Sequence, residues 1–348
     1  MPIVLGTDTG ILRKENQDRL AMMRFTPDNT NSEAIVIALA DGMGGMVGGA
    51  DAASIAISSF FSSLVKYSDL GISSSLIRAA EDANDDVCAI YNAKGGATLS
   101  AIMVHKGDVV GVNVGDSRIY SIDETHLSQL SEDDTIAALA QKYRRHDEGF
   151  DEGFGHELVQ FIGQDYKLEP HLISFERGKD NKIMLTSDGA HLIGESNLFK
   201  IAKNSPELPY SVKRIIDLAN WFGGVDNASM AIIEIDLLSL DEKVPDGTIR
   251  IWDPFGDMQL FLLISDAVEN DASKSKNKES ILSLAKENKE TDEERRLKQK
   301  RNAAILKNKK TRERLNKNFI PEEDSEVDSK EKAQIDIRFG EADKNEKE

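Results

Sequence analysis

Five aspartates carry the chemistry open to this sequence. Asp41 ends the apolar run "AIVIALADGMGG" (residues 34–45), and Asp188 ends "KIMLTSDGA". Asp116 follows an apolar run in "VGVNVGDSR", Asp226 precedes one in "GGVDNAS", and Asp18 precedes one in "RKENQDRL". One Asp-Gly pair is an ordinary turn signal, but five aspartates at strand ends, most beside glycine, exceed what turn chemistry explains. Gly42, Gly44 and Gly45 allow positive φ and close approach to the backbone, which suits an anion cradle or a metal site. If the five carboxylates converge, they can all stay ionised at neutral pH only around a cation. Oxygen ligands without His or Cys favour Mg²⁺ or Mn²⁺ over zinc. Two such ions bridged by one carboxylate would acidify a shared water. A phosphate ester is the substrate that such a site fits best, with Arg13, five residues before Asp18, as a bidentate phosphate ligand.

These residues need strands to hold them. "LAMMRF", "EAIVIALA", "TLSAIMV", "DVVGVNV", "RIYSI", "KIMLTS" and "MAIIEI" read as strands, rich in β-branched and apolar residues and bounded by turn residues. Helical spacing marks "ADAASIAISSFFSSLVKY", "SSSLIRAAEDANDDVCAIYN", "EDDTIAALAQKYRR", "SNLFKIAKN" and "YSVKRIIDLANWF". Strands cluster around short polar turns and the first two helices come as a pair, which predicts an α+β layered domain with antiparallel sheets and not a doubly wound one.

The 348 residues, 40% of them hydrophobic, suffice for one large core or two modest ones. No uncharged apolar run approaches the roughly 18 residues of a membrane-spanning helix. The start "MPIVLGTDTG" lacks the basic flank and apolar core of a signal peptide. The one cysteine, Cys88, excludes an internal disulfide framework and reads as a small hydrophobe on an apolar helix face. A cytoplasmic protein is expected. Residues 1–266 hold 22 Lys and Arg against 41 Asp and Glu, whereas residues 267–348 hold 21 against 20. That acidic front makes nucleic acid an unsuitable partner.

The compact pattern ends near Asp236, so the predicted domain is 1–238. Residues 239–268 read as a linker with a β-hairpin around "DPFGD". Residues 269–348 form a charged tail, helical or disordered, whose basic stretch 295–317 reads first as a solvated helix or disordered polyampholyte, with docking on an acidic partner surface or weak nucleic-acid contact as the functional alternatives.

The blocks "GILRKENQDRL", "ALADGMGG", "GGATLSAI", "NVGDSRIY", "LTSDGA" and "GVDNAS" give residues 3–236 a resemblance to the metal-dependent serine/threonine protein phosphatases of the 2C type, in their bacterial style. The resemblance implies a four-layer α-β-β-α sandwich, two central antiparallel sheets flanked by helix pairs. It implies hydrolysis of phosphoserine and phosphothreonine in proteins by hydroxide bound between two Mn²⁺ or Mg²⁺ ions. Asp41 is then the bridging ligand, the Gly42 carbonyl a further ligand, Asp188 and Asp226 ligands of the first ion, and Asp18 a ligand through water. Asp116 is implied at a third, weaker site shared with Asp188, Arg13 at the substrate phosphate, and Asn227 in support. The implied substrates are phosphoproteins, targets of a serine/threonine kinase.

Two positions depart from the fullest family pattern. Gln17 stands where many members have Glu, and Met43 where others carry a histidine proposed to protonate the leaving oxygen, so the general acid is unassigned. Residues 132–160 fall at the variable flap, with Arg144, Arg145 and His146 as substrate contacts or plain solvent-exposed charges. The competing readings are another phosphoester substrate, such as phosphotyrosine or a small metabolite, and a phosphatase-derived scaffold with little turnover that binds partners through its tail.

Overall fold

The computed structural model describes residues 2–27, 32–143, 157–175, 182–238 and 248–261. The chain divides into two units, Met1–Ser265 and Asp266–Glu348. The second, which holds the expected tail, lies outside the described residues, as do Arg144, Arg145 and His146. In chain order the strands are β1 (Ile3–Asp8), β2 (Asp18–Phe25), β3 (Ala34–Asp41), β4 (Leu99–His105), β5 (Asp108–Val114), β6 (Arg118–Ile122), β7 (Leu127–Gln129), β8 (His171–Ser174), β9 (Lys182–Thr186), β10 (Ala228–Glu234), β11 (Thr248–Asp253) and β12 (Gly256–Phe261). The helices are α1 (Gly49–Lys66), α2 (Ile72–Tyr91), α3 (Ile136–Tyr143), α4 (Asp188–His191), α5 (Glu195–Asn204) and α6 (Leu208–Trp221).

The strands pair into two antiparallel sheets, ordered β1-β10-β9-β6-β7 and β12-β11-β2-β3-β4-β5-β8. Strand β3 shows why they stack. It is apolar at every position before Asp41 because both its faces are covered. Ile35, Ile37 and Leu39 point into a core shared with Ile183, Leu185 and Ile233 of the other sheet. Val36, Ala38 and Ala40 point the other way, into a core with Phe60 and Leu64 of α1 and Leu76 and Ala83 of α2. A third core joins Met184, Met230 and Ile232 to Leu198 of α5 and Val212 and Ile215 of α6. The layers are thus helix pair, sheet, sheet, helix pair, the α+β architecture expected from the segregated pattern.

Helix α1 buries Ala52, Ala53, Ala56, Phe60 and Leu64, a stripe at helical spacing. Asp51 in its first turn and Lys66 in its last match the helix dipole. Cys88 on α2 is half-buried, less covered than its sequence reading implied. No described helix is long and apolar enough to cross a membrane.

The hairpin around "DPFGD" is part of the large sheet. β11 pairs with β2, Ile251 opposite Met23, and Asp253 Oδ1 accepts the Phe255 and Gly256 N–H groups at 2.8 Å each to close the turn. The sheet therefore extends past residue 238, the boundary drawn from sequence. Ile249 of β11 is buried in the same core as Phe60.

Phe60 has no solvent exposure. Phe60→Ala should lower unfolding stability by about 3–5 kcal/mol, since transfer and cavity terms add. Chemical denaturation should show a lower midpoint with an unchanged slope.

Candidate active site

Two aspartates are set side by side by strand pairing alone. Asp18 opens β2, Asp41 closes β3, and the antiparallel register places them directly opposite. Both faces of β3 are apolar and buried, so the register rests on how its side chains fit the two cores, with Asp41 at the partly exposed end. Asp188 comes from the other sheet, where β9 ends and α4 begins. Asp226 precedes β10, the neighbour of β9, and Asp116 lies on the crossing from β5 to β6 that links the two sheets. The site therefore sits on the seam between the sheets.

A cavity of about 420 Å³ opens there, walled by Arg13, Asp41, Gly42, Asp116, Asp188 and Asp226. Asp18 stands behind that wall, 4% exposed. A larger cavity, about 580 Å³ in the α1–α2 groove, lies away from all five aspartates. The carboxyls of Asp18, Asp41, Asp116 and Asp188 are all pushed above the usual carboxylate range, first by burial and then by one another's charge. Asp18 reaches about 6 and Asp116 about 7.

The neighbours fix each position. The Asp41 N–H donates to Thr98 Oγ1 at 2.9 Å, and the Thr98 N–H returns to the Asp41 carbonyl at 2.9 Å. A Cβ at Gly42 would fall 2.2 Å from the Gly49 carbonyl oxygen, so only glycine fits where the chain turns into α1. Asp18 Oδ2 accepts from Ser187 Oγ at 2.9 Å. Asn227 takes the Gln17 N–H on Oδ1 and donates Nδ2 to the carbonyls of Thr9 and Glu15, pinning the loop that carries Arg13. Gln17 itself lies against Gly44 and Gly49.

Arg13 Nη2 pairs with Asp226 Oδ2 at 2.5 Å. The expected phosphate ligand thus neutralises one of the expected metal ligands. Sequence reasoning did not single out Asp134, whose carboxylate accepts the Gly115 N–H at 2.9 Å while its own N–H donates to the Gly115 carbonyl. It also accepts from Gln160 Nε2 and bonds His171 Nε2, so it ties the Asp116 turn to the segment beyond the flap. Its only sequence signal was a place in a charged run. Glu157 and Leu158 also reach the cavity wall, from the end of the flap span.

The donor set fits hard divalent ions. Asp18 Oδ1 and Asp188 Oδ1 are buried with no hydrogen-bond partner, a costly state for a carboxylate oxygen that a cation would relieve. Among the described residues, no three His, Cys, Asp or Glu side chains are drawn together as the finished cage of one ion.

The raised carboxyls bind protons that the unfolded chain has already released, so in chelator stability should fall as pH rises from about 4 to about 7. Thermal melts with and without Mn²⁺ or Mg²⁺ check this. Added ion should raise the Tm at pH 7.5. Asp41→Asn should raise the ion-free Tm at that pH and blunt the response to ion.

Residues 13–223 match the family model described as protein phosphatase 2C. The serine/threonine phosphatase stp of Listeria monocytogenes is 26% identical over 66% of this chain and 94% of its own. The crystal structure of the Mycobacterium smegmatis Ser-Thr phosphatase MsPP is 26% identical, covers 67% of this chain and 97% of its own, and superposes with a TM-score of 0.55. The S. agalactiae serine/threonine phosphatase, 24% identical over 67% of this chain and 98% of its own, shares the fold with a TM-score of 0.58. This chain belongs to the protein phosphatase 2C family, whose members are metal-dependent protein phosphatases.

Proposed function

We propose that the chain removes phosphate from phosphoserine and phosphothreonine in proteins with two Mn²⁺ or Mg²⁺ ions, and that a third ion joins them. The observation that carries the metal assignment is the pair of orphaned, buried oxygens, on Asp188 in the carboxylate-lined wall and on Asp18 behind it. Asp41, the Gly42 carbonyl, Asp188 and Asp226 would hold the two ions, Asp18 would act through water, and Asp116 with Asp188 would hold the third. The ions would supply an acidified water nucleophile and charge neutralisation at the phosphoryl oxygens.

The chain's own groups do the positioning. Arg13, on its Asn227-pinned loop, is the only cationic side chain in the cavity wall among the described residues. Its guanidinium, released from Asp226, would hold two phosphoryl oxygens in its planar fork. Thr98 holds the backbone of Asp41, and Asp134 holds the turn of Asp116, so both carboxylates arrive already oriented. No described side chain is assigned to protonate the leaving oxygen. The substrates would be targets of a serine/threonine kinase, met in the cytoplasm, and residues 269–348 would recruit a protein partner.

Hydrolysis of a phosphothreonine peptide tests this with Mn²⁺, with Mg²⁺ and with excess chelator. Turnover should need the ion and should fall by at least roughly 10²–10³-fold in Asp41→Asn and Asp188→Ala, the scale of losing one preorganised charge-stabilising group. Circular dichroism should remain native in both. Near wild-type turnover in either variant would sink the assignment. Arg13→Ala should lose about 10²-fold in kcat/KM.

A further inference from the structure

The chain that delivers Arg13 to the cavity is apolar and exposed just before it, Ile11 at 66% and Leu12 at 67%. The chain that delivers Asp226 is built the same way, with Trp221 86% exposed and Phe222 and Val225 about half exposed. The two segments are clamped together. The N–H groups of Ile11 and Leu12 both donate to the Gly224 carbonyl, at 2.8 and 3.0 Å, and Arg13 pairs with Asp226 beside them. Gly223 and Gly224 take positive φ, 118° and 52°, which lets the chain after α6 turn back toward the cavity. A Cβ on Gly224 would lie 2.7 Å from Ile11 Cγ1, and one on Gly223 3.5 Å from Val225 Cγ1. The side chains of Ile11 and Val225 thus lie over the glycine pair. A lone exposed apolar residue is ordinary, but five large ones gathered on one rim mark a binding surface.

We propose that this rim binds the residues flanking the phosphorylated serine or threonine of a protein substrate and selects bulky aliphatic or aromatic side chains there. The inference rests on the phosphatase reading above. Position carries it, because Leu12 directly precedes Arg13 and Val225 directly precedes Asp226, and both of those line the cavity. A peptide whose phosphate reaches Arg13 spans only about 3.3–3.6 Å per residue, so its immediate neighbours in sequence must lie on the rim or over the opposite wall. Met43 and Leu158 are the large apolar residues of the cavity wall itself, and neither is among the exposed large apolar side chains, as all five rim residues are.

The test uses the full chain with Mn²⁺ and three phosphothreonine peptides, identical except for leucine, serine or lysine at the two positions on each side of the phosphothreonine. Wild type should favour the leucine peptide over the serine peptide by about tenfold or more in kcat/KM, carried mainly by KM, the scale of one well-buried apolar contact. Trp221→Ser and Leu12→Ser should each pull that ratio toward one, and Trp221→Glu should shift preference toward a lysine-flanked peptide. Equal kcat/KM for the leucine and serine peptides in wild type overturns the proposal, as does an unchanged ratio in all three variants. Absence of turnover on any of the peptides would instead strike the phosphatase reading itself. A wild-type dimer in sedimentation that Trp221→Ser dissociates would assign the rim to a second copy of the chain and overturn substrate selection.

Discussion

The repulsion among buried carboxylates is the constraint around which this molecule is arranged. Four of the five cavity aspartates are held above their ordinary range by burial and by each other, a state that opposes folding whenever they are ionised. The surrounding structure must supply enough apolar burial to hold them there. It does so with three cores, two beneath the helix pairs and one between the sheets. The Arg13–Asp226 pair and the serine hydroxyl on Asp18 are partial remedies. A bound metal ion would be the complete one.

Rigidity follows from the same arrangement. The carboxylates stand at or beside the ends of strands, and β3 packs its two faces into separate cores. Small residues let the backbone come close where ligands must face inward. Gly42 has no room for a side chain against Gly49, and Gly115 abuts Thr98. The hydroxyl of Thr98, bonded to Ser117 Oγ at 2.7 Å, connects the backbone of Asp41 to the turn that carries Asp116. Side chains of modest size thus keep distant parts of the chain in fixed relation.

Much of this was legible in the sequence, for identifiable reasons. Asp41, Asp116 and Asp188 each follow a strongly apolar strand, and that contrast of burial and charge is a local signal. The segregation of strands from helices gave the layering. What escaped was short or non-local. β8 has four residues and β7 three, too few for periodicity to register, and Gly6 interrupts β1 because a Cβ there would strike Val212 of α6. The hairpin was readable as two strands, but its pairing with β2 spans more than 220 residues of sequence and no local pattern announces it. Asp134 was invisible for the same reason. Its role is defined by Gly115, Gln160 and His171, which only the fold brings together, and likewise the apolar rim joins residues 11–12 to residues 221–225.

The placement of the site on the seam has a mechanical side. Asp18 and Asp41 belong to one sheet, Asp188 and Asp226 to the ends of strands in the other, and about 200 residues of chain separate Asp18 from Asp226. Whatever bridges these groups acts as a rivet between two slabs otherwise joined by side-chain packing, chain crossings and a few hydrogen bonds such as Ser187 to Asp18. Sliding or peeling the sheets apart must break that rivet first, so an occupied seam slows rupture under pulling force and slows access by proteases. The lifetime of the folded chain would then track the supply of the ion that its chemistry consumes nothing of but cannot do without.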